Sequence, residues 1–246
     1  MLFNFSIFFS SLIFFLGLEL VVFQGDWAIS SVVLISFLTL QASRKIGKSL
    51  ASGITPLIFA LSTVALLYLV DSMTQRQWLI VLSSAVYYLA LLGIYRLRYY
   101  ERDQTARGMM AFVSMATLFL FYSSVYGIYL NFAVPIWGLM LAYCAGTMLL
   151  SHQYLLVIDS QKGRLARMYS LLLGLSLAEI AWVINFWPFG YLTTGVVVLM
   201  FYYILWDLVQ SYFLETLSKQ RVMSHLILFG FLIGMVLAST RWVPAV

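Results

Sequence analysis

The sequence predicts an all-α fold: a polytopic transmembrane helical bundle of about nine spans, built from helical hairpins with short loops. Three observations predict it. Of 246 residues, 63% are hydrophobic and only 9% charged, whereas soluble domains carry roughly a quarter charged residues. The charges fall in short clusters between apolar runs, several of them near the length of about 20 residues that a bilayer crossing requires. Lys and Arg also crowd into every second cluster, which is how loops on one side of a membrane are marked.

The first apolar run covers residues 2–23 and closes at Gln24, Gly25 and Asp26. No basic leader precedes it and no small-residue cleavage site follows, so it is expected to stay as a span. The second, 27–42, is short; eight spans, with the first two joined as one bent or re-entrant element, is the alternative. Spans three to six are expected at 54–70, 78–97, 108–130 and 136–158. A hairpin over 168–214, turning at 185–190, supplies spans seven and eight, and the ninth runs over 222–240. No stretch is long and polar enough for a soluble domain, so residues 1–246 are expected to form one transmembrane domain.

Four loops hold most of the basic residues: Arg44, Lys45 and Lys48; Arg96, Arg98, Arg102 and Arg107; Lys162, Arg164 and Arg167; Lys219 and Arg221. Placing them inside puts the N-terminus in the cytoplasm and the C-terminus outside a cell membrane. The net charge of +5 then points to anionic lipid head groups at the cytoplasmic loops and away from nucleic acid. The basic loops recur at near-equal intervals, and Tyr87-Tyr88 and Tyr202-Tyr203 pair at similar heights. Stacked helical hairpins give such an echo with or without duplication.

The hairpin over 168–214 is where chemistry is expected first. Each arm carries a carboxylate inside an apolar run, Glu179 and Asp207, and such a group costs several kcal/mol unless paired, hydrated or protonated. Ser176, Glu179 and Trp182 share one helical face, and Asn185 extends that strip to the turn. Tyr203, Asp207 and Gln210 form a second strip. At about 1.5 Å per residue the two acids differ in depth by roughly 14 Å, so direct contact is not expected. His152 and His225 lie near the cytoplasmic side and would join Asp207 and Gln210 in an inner polar cluster, or face head groups. Glu19 either pairs across helices or reaches the outer interface. Tyr122, Tyr126 and Tyr129 follow helical spacing, as a packing stripe or as the wall of an outer pocket with Glu179.

Much chemistry is excluded. A single cysteine, Cys144, rules out an intrachain disulfide and metal sites built on several thiolates. No span contains a lysine for a Schiff base. His-Glu-x-x-His, Gly-x-Ser-x-Gly and P-loop motifs are absent; a bis-histidine haem site at His152 and His225 is conceivable but ranks well behind two interfacial histidines, because their spacing matches no haem motif. No cofactor is expected.

The segment Ala178-Glu179-Ile180-Ala181-Trp182, through Trp187-Pro188 and the Tyr202-Tyr203 helix, resembles uncharacterised small multi-span bacterial integral membrane proteins. That resemblance covers the final third of the chain and implies no activity. The leading expectation is a non-enzymatic membrane subunit or scaffold acting through other membrane subunits, a homo-oligomer or lipid. The alternatives are a small transporter or proton-coupled channel using Glu179 and Asp207, and a lipid-modifying enzyme. A transporter should line a wet cavity with one of the acids; a scaffold should seal both in packed interfaces.

Overall fold

The computed structural model describes residues 2–23, 28–47, 51–100 and 103–239. Among them run α1 (Leu2–Phe23), α2 (Ala28–Gly47), α3 (Ile54–Leu69), α4 (Met73–Tyr99), α5 (Gln104–Asn131), α6 (Ile136–Ile158), α7 (Gly163–Ile184), α8 (Tyr191–Phe213) and α9 (Lys219–Ser239), with short 3-10 turns at Ala51–Gly53 and Ser160–Lys162. The nine helices correspond to the nine expected segments. α1 and α2 are separate helices, and the link between them lies outside the described residues.

Among the described residues, six helices are long and apolar enough to cross a membrane: α4 to α8 whole, and Phe5–Phe23 of α1. α3, at 16 residues, reaches about 24 Å against a hydrocarbon core of about 30 Å. The apolar part of α9, Val222–Met235, is also shorter than a span. α2 ends in Arg44 and Lys45, which cut its apolar length. The fold is consistent with a multi-pass membrane protein.

Long-range hydrogen bonds sort the helix ends into two levels. At one, Gln77 Nε2 donates to Glu19 Oε2 at 3.2 Å, and the Tyr191 hydroxyl donates to the Leu69 carbonyl at 3.1 Å. At the other, Thr55 Oγ1 donates to Gln153 Oε1 at 2.6 Å, Arg98 Nη1 to the Ile46 carbonyl at 2.8 Å, and Lys162 Nζ to the Phe213 carbonyl at 3.1 Å. Successive helices from α1 to α8 therefore run antiparallel, and the second level, which carries Arg44, Lys45, Arg96, Arg98 and Lys162, is the basic end.

α5 is the centre. It packs against α3, α4, α6 and α8, and contributes to both main cores. Met110 and Leu120 join the α1–α4 cluster with Phe14, Phe59 and Tyr87; Leu118, Tyr122 and Tyr126 join the α6–α8 cluster with Tyr143, Leu177 and Tyr202. Lipid tails are as apolar as leucine, so close backbone approach and hydrogen bonds must hold such helices together. α5 is built for that, burying Ser114, Thr117, Ser123, Ser124 and Gly127. The helices of the 168–214 hairpin belong to other neighbours as much as to each other: α7 forms the most extensive helix pair with α6, and α8 packs mainly on α5.

The basic end is tied locally. Asp103 caps α5 by accepting from the Thr105 and Ala106 amides, and Arg96 Nε sits 2.8 Å from its Oδ2. Desolvation raises the Asp103 carboxyl, but the Ala106 amide, the Arg96 guanidinium and the Thr105 amide together outweigh it and hold it below the usual carboxylate range.

Candidate functional site

The face that α7 presents to α6 is small: Ala166, Ser170, Gly174, Ala178 and Ala181 are all buried. A Cβ built on Gly174 would lie 2.7 Å from the Cys144 carbonyl oxygen and 3.3 Å from Met148 Cβ, so the two backbones nearly touch there. This docking fixes the rotation of α7 and turns Glu179 to the opposite side.

Glu179 is exposed. Around it Met168, Leu171, Leu172, Leu175, Trp182 and Val183 are exposed as well, so one carboxylate interrupts an otherwise apolar stripe. Ser176 and Asn185 are half-buried at its margins. Trp182 meets Phe186 edge to face, with centroids 5.5 Å apart. At about 1.5 Å per residue, Glu179 lies roughly 8 Å inside the end of α7 at Ile184.

The second strip stands apart. Tyr203 is exposed, with its ring 6.0 Å from that of Trp206. Asp207 and Gln210 are half-buried on α8, and Gln210 Oε1 has no hydrogen-bond partner among the described residues. His152 is half-buried on α6, next in sequence to Ser151, while the side chain of His225 lies outside the described residues. Glu19 is bonded across helices to Gln77. Glu179 and the α8 strip lie on different helices, and neither acid lines any of the four cavities described. Tyr122 and Tyr126 are core residues, and neither they nor Glu179 line any of these four cavities.

What sequence reasoning missed is the polar seam between α5, α6 and α8. The Tyr122 hydroxyl and Thr147 Oγ1 are 2.6 Å apart, and the Tyr143 hydroxyl donates to the Tyr122 carbonyl at 2.9 Å. Ser151 Oγ meets the Tyr202 hydroxyl at 3.0 Å, and below them the Tyr154 and Trp206 rings lie 5.2 Å apart. Every hydroxyl in these three bonds is buried and paired inside the bundle, an arrangement that locks helices together. The missed signal was the alignment of Tyr143, Thr147, Ser151 and Tyr154 at helical spacing on α6. Among the described residues no group of three or more His, Cys, Asp or Glu side chains could hold a metal ion.

Residues 11–239 match the family described as "Protein of unknown function (DUF5656)". No curated protein and no solved structure matches the chain.

Proposed function

We propose, for a chain that belongs to the DUF5656 family, the role of a non-enzymatic membrane subunit that binds another transmembrane helix along the outer face of α7. One observation carries this reading: Glu179 is the single carboxylate in an exposed apolar stripe of a helix long and apolar enough to span a bilayer. Facing hydrocarbon alone, it would be expensive to ionise. Against a partner helix bearing a basic or hydrogen-bond-donating group at that depth, it becomes the polar contact that fixes register. The spans of this chain contain no lysine, so a second copy would not supply a lysine partner, and a different subunit fits better. In this reading the basic end faces the cytoplasm of a bacterial inner membrane, with the N-terminus inside and the C-terminus outside.

The test is Glu179→Gln, purified and reconstituted beside the wild type. Because Glu179 makes no core contact, thermal stability in detergent should stay within about 0.5 kcal/mol of wild type, and neither protein should leak protons. In native membranes, a photo-crosslinker at Leu175 or Val183 should trap one discrete partner in the wild type and far less of it in the variant. Loss of pH-gradient-driven uptake in Glu179→Gln, with stability unchanged, would instead make Glu179 a transport residue. That result would sink the subunit reading.

A further inference from the structure

At the basic end, the closing turns of α2, α4 and α6 and the opening stretches of α3 and α5 surround a partly open cavity of about 310 Å³. That is at the lower edge of the volume range of small-molecule pockets, roughly 300–1,000 Å³. Its wall is mainly apolar, with Ile94, Leu97, Met110, Leu156 and Val157, and Arg98 lines it too. Gln153 Oε1 accepts from both the Thr55 amide and the Thr55 hydroxyl, so α3 and α6 are pinned together at the wall and the cavity is held open by bonds already made.

Arg98 is fixed but not neutralised. Its Nη1 donates to the Ile46 carbonyl at 2.8 Å, and its guanidinium carbon lies 5.3 Å from the Tyr99 ring centroid. Its neighbour Arg96 has the Asp103 carboxylate at 2.8 Å; no described acid pairs with Arg98. A guanidinium carries five N–H donors in a planar fork that matches phosphate, and only one hydrogen bond is made here among the described residues. Met110 and Ser114 lie six and ten residues past Gln104, so the lining extends roughly 9 to 15 Å along α5. A bare anion would satisfy Arg98 and waste the wall. An uncharged hydrocarbon would do the reverse.

We infer that this cavity binds one anionic phospholipid, its phosphate on Arg98 and part of one acyl chain against Met110, Leu156 and Val157. Charge and shape agree on this class: a fixed cation at the helix ends, where head groups lie if these helices cross a bilayer, opens onto an apolar slot running toward the membrane centre.

The experiment uses the full-length protein in neutral detergent, titrated with phosphatidylglycerol, phosphatidylcholine or inorganic phosphate, with binding read by native mass spectrometry and melting temperature. Phosphatidylglycerol should bind and raise the melting temperature more than phosphatidylcholine, and inorganic phosphate should not displace it. Arg98→Gln should weaken phosphatidylglycerol binding at least tenfold; Val157→Phe, which narrows the slot and keeps the charge, should weaken it severalfold. Unchanged binding in both variants would overturn the inference. So would full protection by inorganic phosphate with no effect of Val157→Phe, the signature of a free-anion site. If either variant fails to fold, the wild type decides: phosphatidylglycerol with a photoactivatable acyl chain should label residues 110–114 and 153–157. Labelling confined to α1 or the outer face of α7 would refute the site.

Discussion

Tyr122→Ala is expected to destabilise the bundle by about 3–5 kcal/mol, the range for deleting a fully buried aromatic side chain. The residue has no exposed surface. Its ring lies 4.8 Å from that of Tyr143 and 6.0 Å from that of Phe121, and its hydroxyl meets Thr147. Truncation removes the ring contacts, opens a void between α5 and α6, and strips Thr147 of a buried partner. Tyr122→Phe separates the two contributions. It keeps the ring and loses only the hydroxyl, and interhelical hydrogen bonds in bilayers contribute about 0.6 kcal/mol on average, up to about 1.7. Reversible unfolding of the two variants in mixed micelles measures both. If Phe proved as costly as Ala, the hydrogen bond would carry the seam. If Ala cost under about 1 kcal/mol, the seam would not be what holds α5 to α6.

Gly174→Ala should cost about 1–3 kcal/mol, as overpacking does, although alanine is the better helix former by about 1 kcal/mol. The new methyl would meet a backbone carbonyl, Cys144 O, at 2.7 Å, and a backbone in mid-helix cannot swing aside as a side chain can. α6 and α7 must separate along the most extensive helix pair in the bundle. Gly108 is the matched control: it too lies in a helix, but a methyl there meets nothing within 4 Å, so Gly108→Ala should be neutral or stabilising by up to about 1 kcal/mol. Melting temperatures of the two proteins, measured side by side, decide. Equal effects would mean that the α6–α7 contact is not tight in solution.

The element list was legible because hydropathy sees length and sees interruption. α6 begins and ends where the sequence placed it, between Pro135 and Asp159. α4 starts at Met73, ahead of the expected 78, because Thr74, Gln75, Arg76 and Gln77 are helical. Polar residues extend a helix beyond the hydrocarbon boundary, and an apolar window is blind to them. Rotation about each helix axis was not legible. A helix apolar all round, as α6 is, carries little amphipathic signal, and hydropathy alone does not say which side of a helix faces a neighbour. The clue lay in residue size: Ala166, Ser170, Gly174 and Ala178 fall four apart and mark the seam. The central position of α5 was hidden for the same reason, and its buried Ser and Thr residues were the sign of it.

That central position sets a schedule for biosynthesis. α5 reaches its end at Asn131, but α8, which supplies Tyr202 and much of the cover of α5, ends only at Phe213. At about 5–20 residues per second, that interval lasts about 4–16 s. During it Ser123, Ser124 and Tyr122 have been made while part of their eventual surroundings has not. The nascent N-terminal half therefore holds α5 in waiting: the Ser124 hydroxyl bonds to the Phe121 carbonyl of its own helix, but the Tyr122 hydroxyl has no partner until Thr147 of α6 is made. A ribosomal pause between α5 and α8 would prolong the time that α5 spends without its α8 cover, so the helix that centres the finished protein is among the last to be enclosed.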